Sequence, residues 1–411
     1  MKTRLIFLTL CFAAAIGIVA LMEVRDAEKP HPTQTNGTNT SMGAPEVPSS
    51  SATAREELHT VTLIVPEEMR SAPFNRERTL HVPEGYGVSV FATGLGKARF
   101  FDFAADGTMY IADQNGRVLR LEDADENGVA ESVTELDRGL QNPHSIEWHE
   151  GDLFVAEENR IVAYRGLTSS GTYLRKDVLI HSLPVGGGHV TRTIVAGPDG
   201  YLYVSVGSSC NVCEELDPRR AAISRFRADG TGWEIYAKGL RNSVGMAFKG
   251  TELWTVENGR DGLGDDVPGE EVNVIVRGGD YGWPYCHAAR DVSPEFPHKS
   301  TFCSTTDLPR YLMQAHSAPL GMAFAAEEET LVIAFHGSWN RKEPTGYKLV
   351  AIDTSDPSAG AEDFVTGWRD ANGNVWGRPV GVGFDAMGVL YVSDDKAGAV
   401  YRIAPIEDSG S

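Results

Sequence analysis

Thr193-Ile194-Val195-Ala196-Gly197-Pro198-Asp199-Gly200-Tyr201-Leu202-Tyr203-Val204-Ser205-Val206-Gly207 is the stretch that decides the fold. A short apolar run, a turn at Asp199-Gly200 and a second run of alternating β-branched and aromatic residues read as a β-hairpin. The pattern recurs at residues 101–113, 145–157, 193–207, 244–257, 322–335 and 380–393, with starts 44, 48, 51, 78 and 58 residues apart. The turns use Asp106-Gly107, Glu150-Gly151 and Lys249-Gly250, where glycine supplies the positive φ such turns need. Each hairpin runs on into a third strand, as at 116–121, 161–165, 221–227, 272–277, 347–353 and 399–403. In several units a fourth follows, as at 134–140, 235–240 and 363–368. Four strands per unit at this period predict an all-β chain, a six-bladed β-propeller of four-stranded blades.

The two ends of the repeat predict its closure. Val88-Ser89-Val90-Phe91-Ala92-Thr93-Gly94-Leu95 has the look of a fourth strand but precedes the first unit, and the last unit stops after its third strand at Ile403. The N-terminal strand would complete the sixth blade, closing the ring and removing two exposed sheet edges. In such a ring the chain passes over one face to reach the innermost strand of the next blade, so residues just before each innermost strand lie near the axis. Those positions hold Lys97, Arg99, His144, His189, Arg192, Arg241, Asn242, His316 and Arg378. For one such residue, capping a loop or pairing with a neighbouring acid is the ordinary role. A whole ring of Arg and His at one mouth suits a ligand carrying carboxylates, which guanidinium binds bidentately. The turns after the second strands, Asn258-Gly259-Arg260, 336–341 and Asp394-Asp395-Lys396, are expected on the same face.

Outside the repeat, Lys2 and Arg4 precede an apolar run from Leu5 to Met22. Its length lies between that of a secretory signal and that of a spanning helix, so residues 1–24 read as a cleaved signal peptide or a membrane anchor. Residues 25–78 read as a flexible linker and lead-in, and 79–406 as the propeller. The formal net charge of −20 argues against nucleic acid or an anionic membrane surface as main partner. Beyond Cys11 in the apolar run, four cysteines remain: Cys210, Cys213, Cys286 and Cys303. In an exported chain they are expected as two structural disulfides, 210–213 and 286–303, with a four-cysteine zinc site as the alternative. The acidic run Asp123-Ala124-Asp125-Glu126-Asn127-Gly128 starts like a calcium loop but has Thr134 where the bidentate Glu belongs, and reads as a solvated turn.

Several motifs carry a resemblance to a known family. Gly239-Leu240-Arg241-Asn242-Ser243-Val244-Gly245-Met246-Ala247-Phe248, Leu253-Trp254-Thr255-Val256-Glu257-Asn258-Gly259 and Gly278-Gly279-Asp280-Tyr281-Gly282-Trp283-Pro284 resemble hallmarks of the soluble pyrroloquinoline quinone (PQQ)-dependent glucose/sorbosone dehydrogenases. So do His189-x-x-Arg192 and His336-Gly337-Ser338-Trp339-Asn340-Arg341, and the sorbosone-dehydrogenase-like branch is the nearest in flavour. The resemblance spans about residues 80 to 404. It implies a six-bladed propeller that oxidises an aldose or sugar-derived aldehyde, with PQQ and Ca2+ at the axial face and electrons passing to an external acceptor, a cytochrome or quinone.

It further implies His189 as the general base, whose ordinary pKa near neutrality suits the task. Arg241 would polarise the quinone carbonyl. Asn242, Asn258, Arg341, Arg378 and, more remotely, Arg192 would contact the cofactor. The backbone carbonyls of Gly259 and Arg260 would coordinate calcium. This chain departs from the pattern in carrying Arg260 where glucose-oxidising members commonly have Pro, and an insert at 261–269. His144 and His316 are two further candidates for the base. The alternatives are a calcium-dependent lactonase or esterase propeller, which would need side-chain carboxylate and Asn ligands at the axial slots where this chain has mostly Arg and His, and a non-catalytic propeller binding a sugar or a protein.

Overall fold

The computed structural model describes residues 57–168 and 170–406. Six four-stranded antiparallel sheets follow one another around an axis, which is the β-propeller that the repeat predicts. Their innermost strands are Ala98–Phe103, Ser145–His149, Arg192–Ala196, Ser243–Lys249, Pro319–Phe324 and Pro379–Phe384. Each of these touches the next, and the last touches the first. Closure occurs where the sequence placed it. Tyr86–Ala92 pairs with Ala399–Pro405, setting Ala92 opposite Val400 and Val88 opposite Ile403, and so forms the outer strand of the sixth blade.

Alternation along the strands sends apolar side chains to both faces of each blade, and the blades stack through them. Met109, Ile111 and Leu121 of the first blade pack on Phe91, Tyr391 and Val400 of the sixth. Tyr110, Ala112 and Val118 pack on Ile146, Val155 and Tyr164 of the second. At the axis there is too little room for side chains. A Cβ on Gly321 would lie 2.5 Å from the Val380 carbonyl oxygen and 2.8 Å from Gly381 Cα, so only glycine permits this approach of blades five and six.

The inner strands begin a few residues earlier than the hairpin pattern alone suggests. Pairing starts at Ala98, Arg192, Pro319 and Pro379, so Arg99 and Arg192 lie within strands rather than before them. In blades one, four, five and six the register breaks between the first and fourth of these residues, for example between Ala98 and Phe101. Such a bulge re-aims the side chains it contains.

The stretch expected as a lead-in up to residue 78 is, from residue 57 onward, part of the packed body. His59–Thr62 pairs with Thr79–Val82, and His81 exchanges backbone hydrogen bonds with Thr366 at 2.8 and 3.0 Å. Leu63, Met69, Phe74, Leu80 and Val82 are buried against Trp368, Trp376 and Tyr401. That much apolar surface removed from water orders the segment. The expected signal or anchor and the linker before residue 57 lie outside the described residues. Among the described residues no helix is long and apolar enough to cross a membrane.

Blade four explains the long spacing of 78 residues. Between its third strand, Glu270–Ile275, and its fourth, Tyr311–Met313, the chain makes an excursion with a short hairpin, Cys286–His287 with Asp291–Val292, and a one-turn helix, Ser300–Cys303. Both expected disulfides are formed, Cys286–Cys303 across this excursion and Cys210–Cys213 in the loop after the second strand of blade three.

Candidate active site

Loops leaving blades three, four and five enclose a cavity of about 380 Å³ near the axis. Its wall includes His189, Arg241, Asn242, Asn258 and Gly259, which were read from the sequence. It also includes Cys210, Asn211, Asp261, Glu270, His316, Trp339 and Asn340. The structure therefore gathers five of the nine site residues at one place.

His189 sits just before the inner strand of blade three. Its Nδ1 lies 2.9 Å from the Ser208 carbonyl oxygen and 3.0 Å from Ser208 Oγ. Ser208 Oγ donates its own hydrogen to the Cys210 carbonyl at 2.7 Å, so it can only accept from the imidazole. Nδ1 therefore carries the proton and Nε2 the lone pair, with no hydrogen-bond partner among the described residues. Burial first, and then the charge of Arg241, push the His189 pKa down to about 4. This corrects the expectation of an ordinary value near neutrality: the ring is neutral throughout the physiological range.

The other two histidines lack a free nitrogen facing the cavity. His316 Nε2 donates to the Gly264 carbonyl at 2.8 Å, and its Nδ1 is 3.3 Å from Asn340 Nδ2. His144 is fully buried, with Nε2 3.1 Å from Arg99 Nη2. Burial and the charges of Arg99 and Arg192 hold its pKa well below the usual value.

Arg241, 7% exposed, begins the motif that leads into blade four. Its Nη1 donates to the Gly259 carbonyl at 2.8 Å and the Asn258 carbonyl at 3.1 Å. Nε donates to the Asn211 carbonyl at 3.1 Å, and Nη2 to Asn211 Oδ1 at 2.9 Å and Asp261 Oδ2 at 3.4 Å. A planar fork held along both edges is rigid in a way a lysine could not be. Below it, Glu270 accepts from the Gly259 N–H at 2.6 Å and the Ala318 N–H at 3.3 Å, and burial pushes its pKa up to about 8. Asp261 accepts from Asn340 Nδ2 at 2.5 Å. Trp339 stands at the rim with 78% of its surface exposed, an aromatic face open to a ligand.

Four of the predicted residues are held elsewhere. Arg192 is fully buried and donates to the carbonyls of Pro184, His189 and Thr191, at 2.5, 3.1 and 2.7 Å, bracing the loop that carries His189. Arg378 donates to the carbonyls of His336 and Gly337 at 3.0 and 2.6 Å. Arg341 pairs with Asp266 at 3.0 Å and reaches the Ala315 carbonyl. The Arg260 guanidinium pairs with Glu295 at 2.5 and 2.8 Å.

The expected single ring of cations is thus two groups. The second comprises Arg99, His144, His336 and Asp395, joined by Arg99–Asp395 at 2.7 Å and His336–Asp395 at 2.9 Å. Lys97 is exposed. In the acidic run read as a solvated turn, Asp123, Asp125 and Glu131 bring carboxylate oxygens within 4.8 Å of one another on the outer side of blade one.

Fold and cavity together define a class: a six-bladed propeller whose axial pocket pairs a free imidazole nitrogen with a buried guanidinium. Residues 80–405 match the TrAA12-like family model, and the chain belongs to that family. A Borreliella burgdorferi protein described only as uncharacterized is 28% identical over 79% of this chain and 90% of its own length. The pyrroloquinoline quinone-dependent sugar dehydrogenase of Hypocrea jecorina is 27% identical over 80% of this chain and 90% of that protein. Among solved structures, the holo form of the pyranose dehydrogenase PQQ domain from Coprinopsis cinerea superposes with a TM-score of 0.71. That match is 22% identical and covers 84% of this chain and all of the domain, a likeness of fold.

Proposed function

We propose that this chain is a PQQ-dependent dehydrogenase that oxidises a sugar, an aldose or a sugar-derived aldehyde, in the axial cavity. The observation that carries the reading is the pair His189 and Arg241 on one cavity wall, the first with an unprotonated Nε2 and the second with its charge fixed in place. Membership of the TrAA12-like family and the sugar dehydrogenase of Hypocrea jecorina support it.

The cavity fits such a cofactor in three respects. It is large enough for a small planar ligand, and its wall mixes the amides of Asn211, Asn242, Asn258 and Asn340 with charged groups and the face of Trp339. Asn340 Oδ1 is buried there without a partner among the described residues, an acceptor waiting for a donor. Gly207 lets the two wall side chains take up their places: a Cβ there would lie 2.5 Å from Asn242 Oδ1 and 2.7 Å from His189 Cβ. Charge is the remaining requirement. Arg241 is offset by Asp261, which leaves the wall close to neutral, whereas PQQ carries three carboxylates. A divalent cation would supply the missing positive charge. The wall oxygens of the Gly259 carbonyl and the Asp261 and Glu270 carboxyl groups would suit Ca2+, a hard cation whose charge would also favour loss of the Glu270 proton; the resemblance adds the Arg260 carbonyl, which lies outside the wall.

When bound, PQQ supplies the two-electron oxidant that takes hydride from the sugar carbon. His189 Nε2 takes the hydroxyl proton, and its tautomer is set for that by Ser208. Arg241 holds positive charge where negative charge develops, at no cost of reorganisation because its fork is already bonded. Asn242 and Asn258 orient the ligand, with Asn258 itself anchored by donating to the Pro319 carbonyl at 2.7 Å. Trp339 offers its face to a sugar ring. Two disulfides fit an exported chain working outside the reducing cytosol, with electrons leaving to an external acceptor. The test is reconstitution. Protein supplied with PQQ, Ca2+ and a redox dye should reduce the dye with at least one member of a panel of aldoses and aldehydes. Silence across the panel, with PQQ demonstrably bound, would sink the proposal.

A further inference from the structure

We propose that Asn211, presented by the disulfide-closed turn from Cys210 to Cys213, is a positioning residue that fixes Arg241 and the Asp261 loop at the cavity; this rests on the function proposed above. The Cys-Asn-Val-Cys segment has no part in the chemistry described so far, yet Cys210 and Asn211 border the cavity. Asn211 makes five contacts there. Its carbonyl accepts from Arg241 Nε at 3.1 Å and from Trp283 Nε1 at 3.2 Å. Its Oδ1 accepts from Arg241 Nη2 at 2.9 Å and from the Asp261 N–H at 2.8 Å. Its Nδ2 donates to the Asp261 carbonyl at 3.0 Å.

The two edges of the Arg241 fork therefore have separate holders. Nη1 is held by the blade-four carbonyls of Asn258 and Gly259. The opposite edge, Nε and Nη2, is held by Asn211, with Asp261 more distant at 3.4 Å. Asn211 also ties both backbone groups of Asp261, and so fixes the loop that brings this carboxylate to 3.4 Å from the guanidinium.

Asn211 is itself exposed, so it does not act as core packing. The turn that carries it is fixed covalently by Cys210–Cys213 and by Glu215, which accepts from the Ser209 N–H at 2.5 Å and from Ser209 Oγ at 2.9 Å. The same loop holds His189 through Ser208. One stapled loop thus sets both the base and the cation. If the disulfide were only a staple of the fold, the residue between its cysteines would be indifferent to substitution.

Three variants separate the readings: Asn211→Ala, Asn211→Asp, and the double change Cys210→Ser with Cys213→Ser. In cofactor-free protein the 15N–1H signals of Arg241 Nε and Trp283 Nε1 report the two bonds to the turn, assigned through Arg241→Lys and Trp283→Phe. Asn211→Ala should shift the Arg241 signal and keep the Trp283 signal, since that indole bonds main chain. It should weaken PQQ binding measured by titration calorimetry. It should also lower kcat about tenfold or more, the loss expected for one charge-assisted hydrogen bond, while leaving KM for the sugar within about twofold. Asn211→Asp keeps an Oδ1 acceptor for Arg241 Nη2 but sets a carboxylate against the guanidinium and removes the donor to the Asp261 carbonyl, so it should keep the Arg241 signal bonded without restoring kcat; the double cysteine change should move both signals. An Arg241 signal and kcat in Asn211→Ala equal to wild type would overturn the inference, as would an Asn211→Asp variant whose Arg241 signal is the same as that of Asn211→Ala. Should wild type bind PQQ without turning over any sugar, the functional reading fails alone, and the two N–H signals still decide the role of Asn211.

Discussion

Replacing Glu147 by Gln should make the protein more stable at pH 8 than the wild type, and no more stable at pH 4.5. Asp102 and Glu147 line a smaller cavity of about 210 Å³ further along the inner strands, within the ring. Asp102 accepts from the Trp148 N–H at 2.7 Å and the Phe103 N–H at 2.8 Å, whereas Glu147 accepts from the Ala196 N–H at 2.8 Å. Among the described residues no ion pair reaches either carboxyl. Burial raises the Asp102 pKa to about 6, and burial with the charge of Asp102 raises that of Glu147 well above the ordinary value.

A carboxyl whose folded pKa lies above its unfolded value binds its proton more tightly in the native state. Its contribution is favourable at low pH and is lost as pH rises from the unfolded pKa through the folded one. For Glu147 the loss accrues at up to about 1.4 kcal/mol per pH unit above about pH 4.3. Glutamine keeps the Oε1 acceptor for Ala196 and never ionises. Between pH 5 and pH 7 the variant should therefore gain on the wild type as pH rises, by no more than about 1.4 kcal/mol per pH unit, read as a widening difference in Tm. Thermal and urea unfolding at half-unit pH steps measure the difference. Parallel stability curves for the two proteins across the whole range would refute the assignment of a buried proton to this carboxyl.

Other outcomes follow from the same geometry. Gly321→Ala forces a Cβ to within 2.5 Å of the Val380 carbonyl, so the inner strands must part, and a loss of at least about 1–3 kcal/mol should appear in urea unfolding. In cofactor-free protein, an NMR titration should find the His189 ring neutral down to about pH 5, with a midpoint near 4; a midpoint at 6.5 would mean the ring is solvated rather than enclosed. Opening the Cys286–Cys303 bridge by Cys286→Ser with Cys303→Ser should cost about 2–3 kcal/mol, because the crosslink closes a loop of 17 residues, and should leave the blades intact by circular dichroism.

The sequence carried the architecture because each blade repeats one alternation and one turn chemistry, and a missing outer strand at one end was matched by a spare strand at the other. Even the strand closing the sixth blade was legible, as its residues 88–92 pair where expected. The hairpin 59–82 was hidden. Its polar, proline-bearing surroundings read as linker, and only the tertiary surface of blades five and six orders Leu80 and Phe74.

At the site, position along the repeat told which residues approach the axis, not where their side chains turn. His189 and Arg241 precede their strands and face the cavity. Arg192, the first residue of its strand, turns into the protein and is consumed by three carbonyls. Arg378 and Arg341 are likewise taken up by carbonyls or by an acid from the insert. Asn211, Asp261 and Asn340 come from loops outside the repeat, so periodicity could not find them. The nearest signals were the Cys-x-x-Cys spacing around Asn211 and the acidic insert after Arg260.

The central claim is that His189 removes a proton while the sugar is oxidised in this cavity, and stopped-flow absorbance without any dye tests it most directly. Protein loaded with PQQ and Ca2+ is mixed with an aldose it turns over, and the spectrum of the oxidised cofactor is followed through a single turnover. Wild type should lose that spectrum in one phase. His189→Gln should bind PQQ with similar affinity, since Gln keeps a polar wall, yet lose the spectrum at least about 100-fold more slowly. Equal rates in the two proteins would contradict the role of His189, and a spectrum unchanged by every aldose in wild type would contradict the function itself.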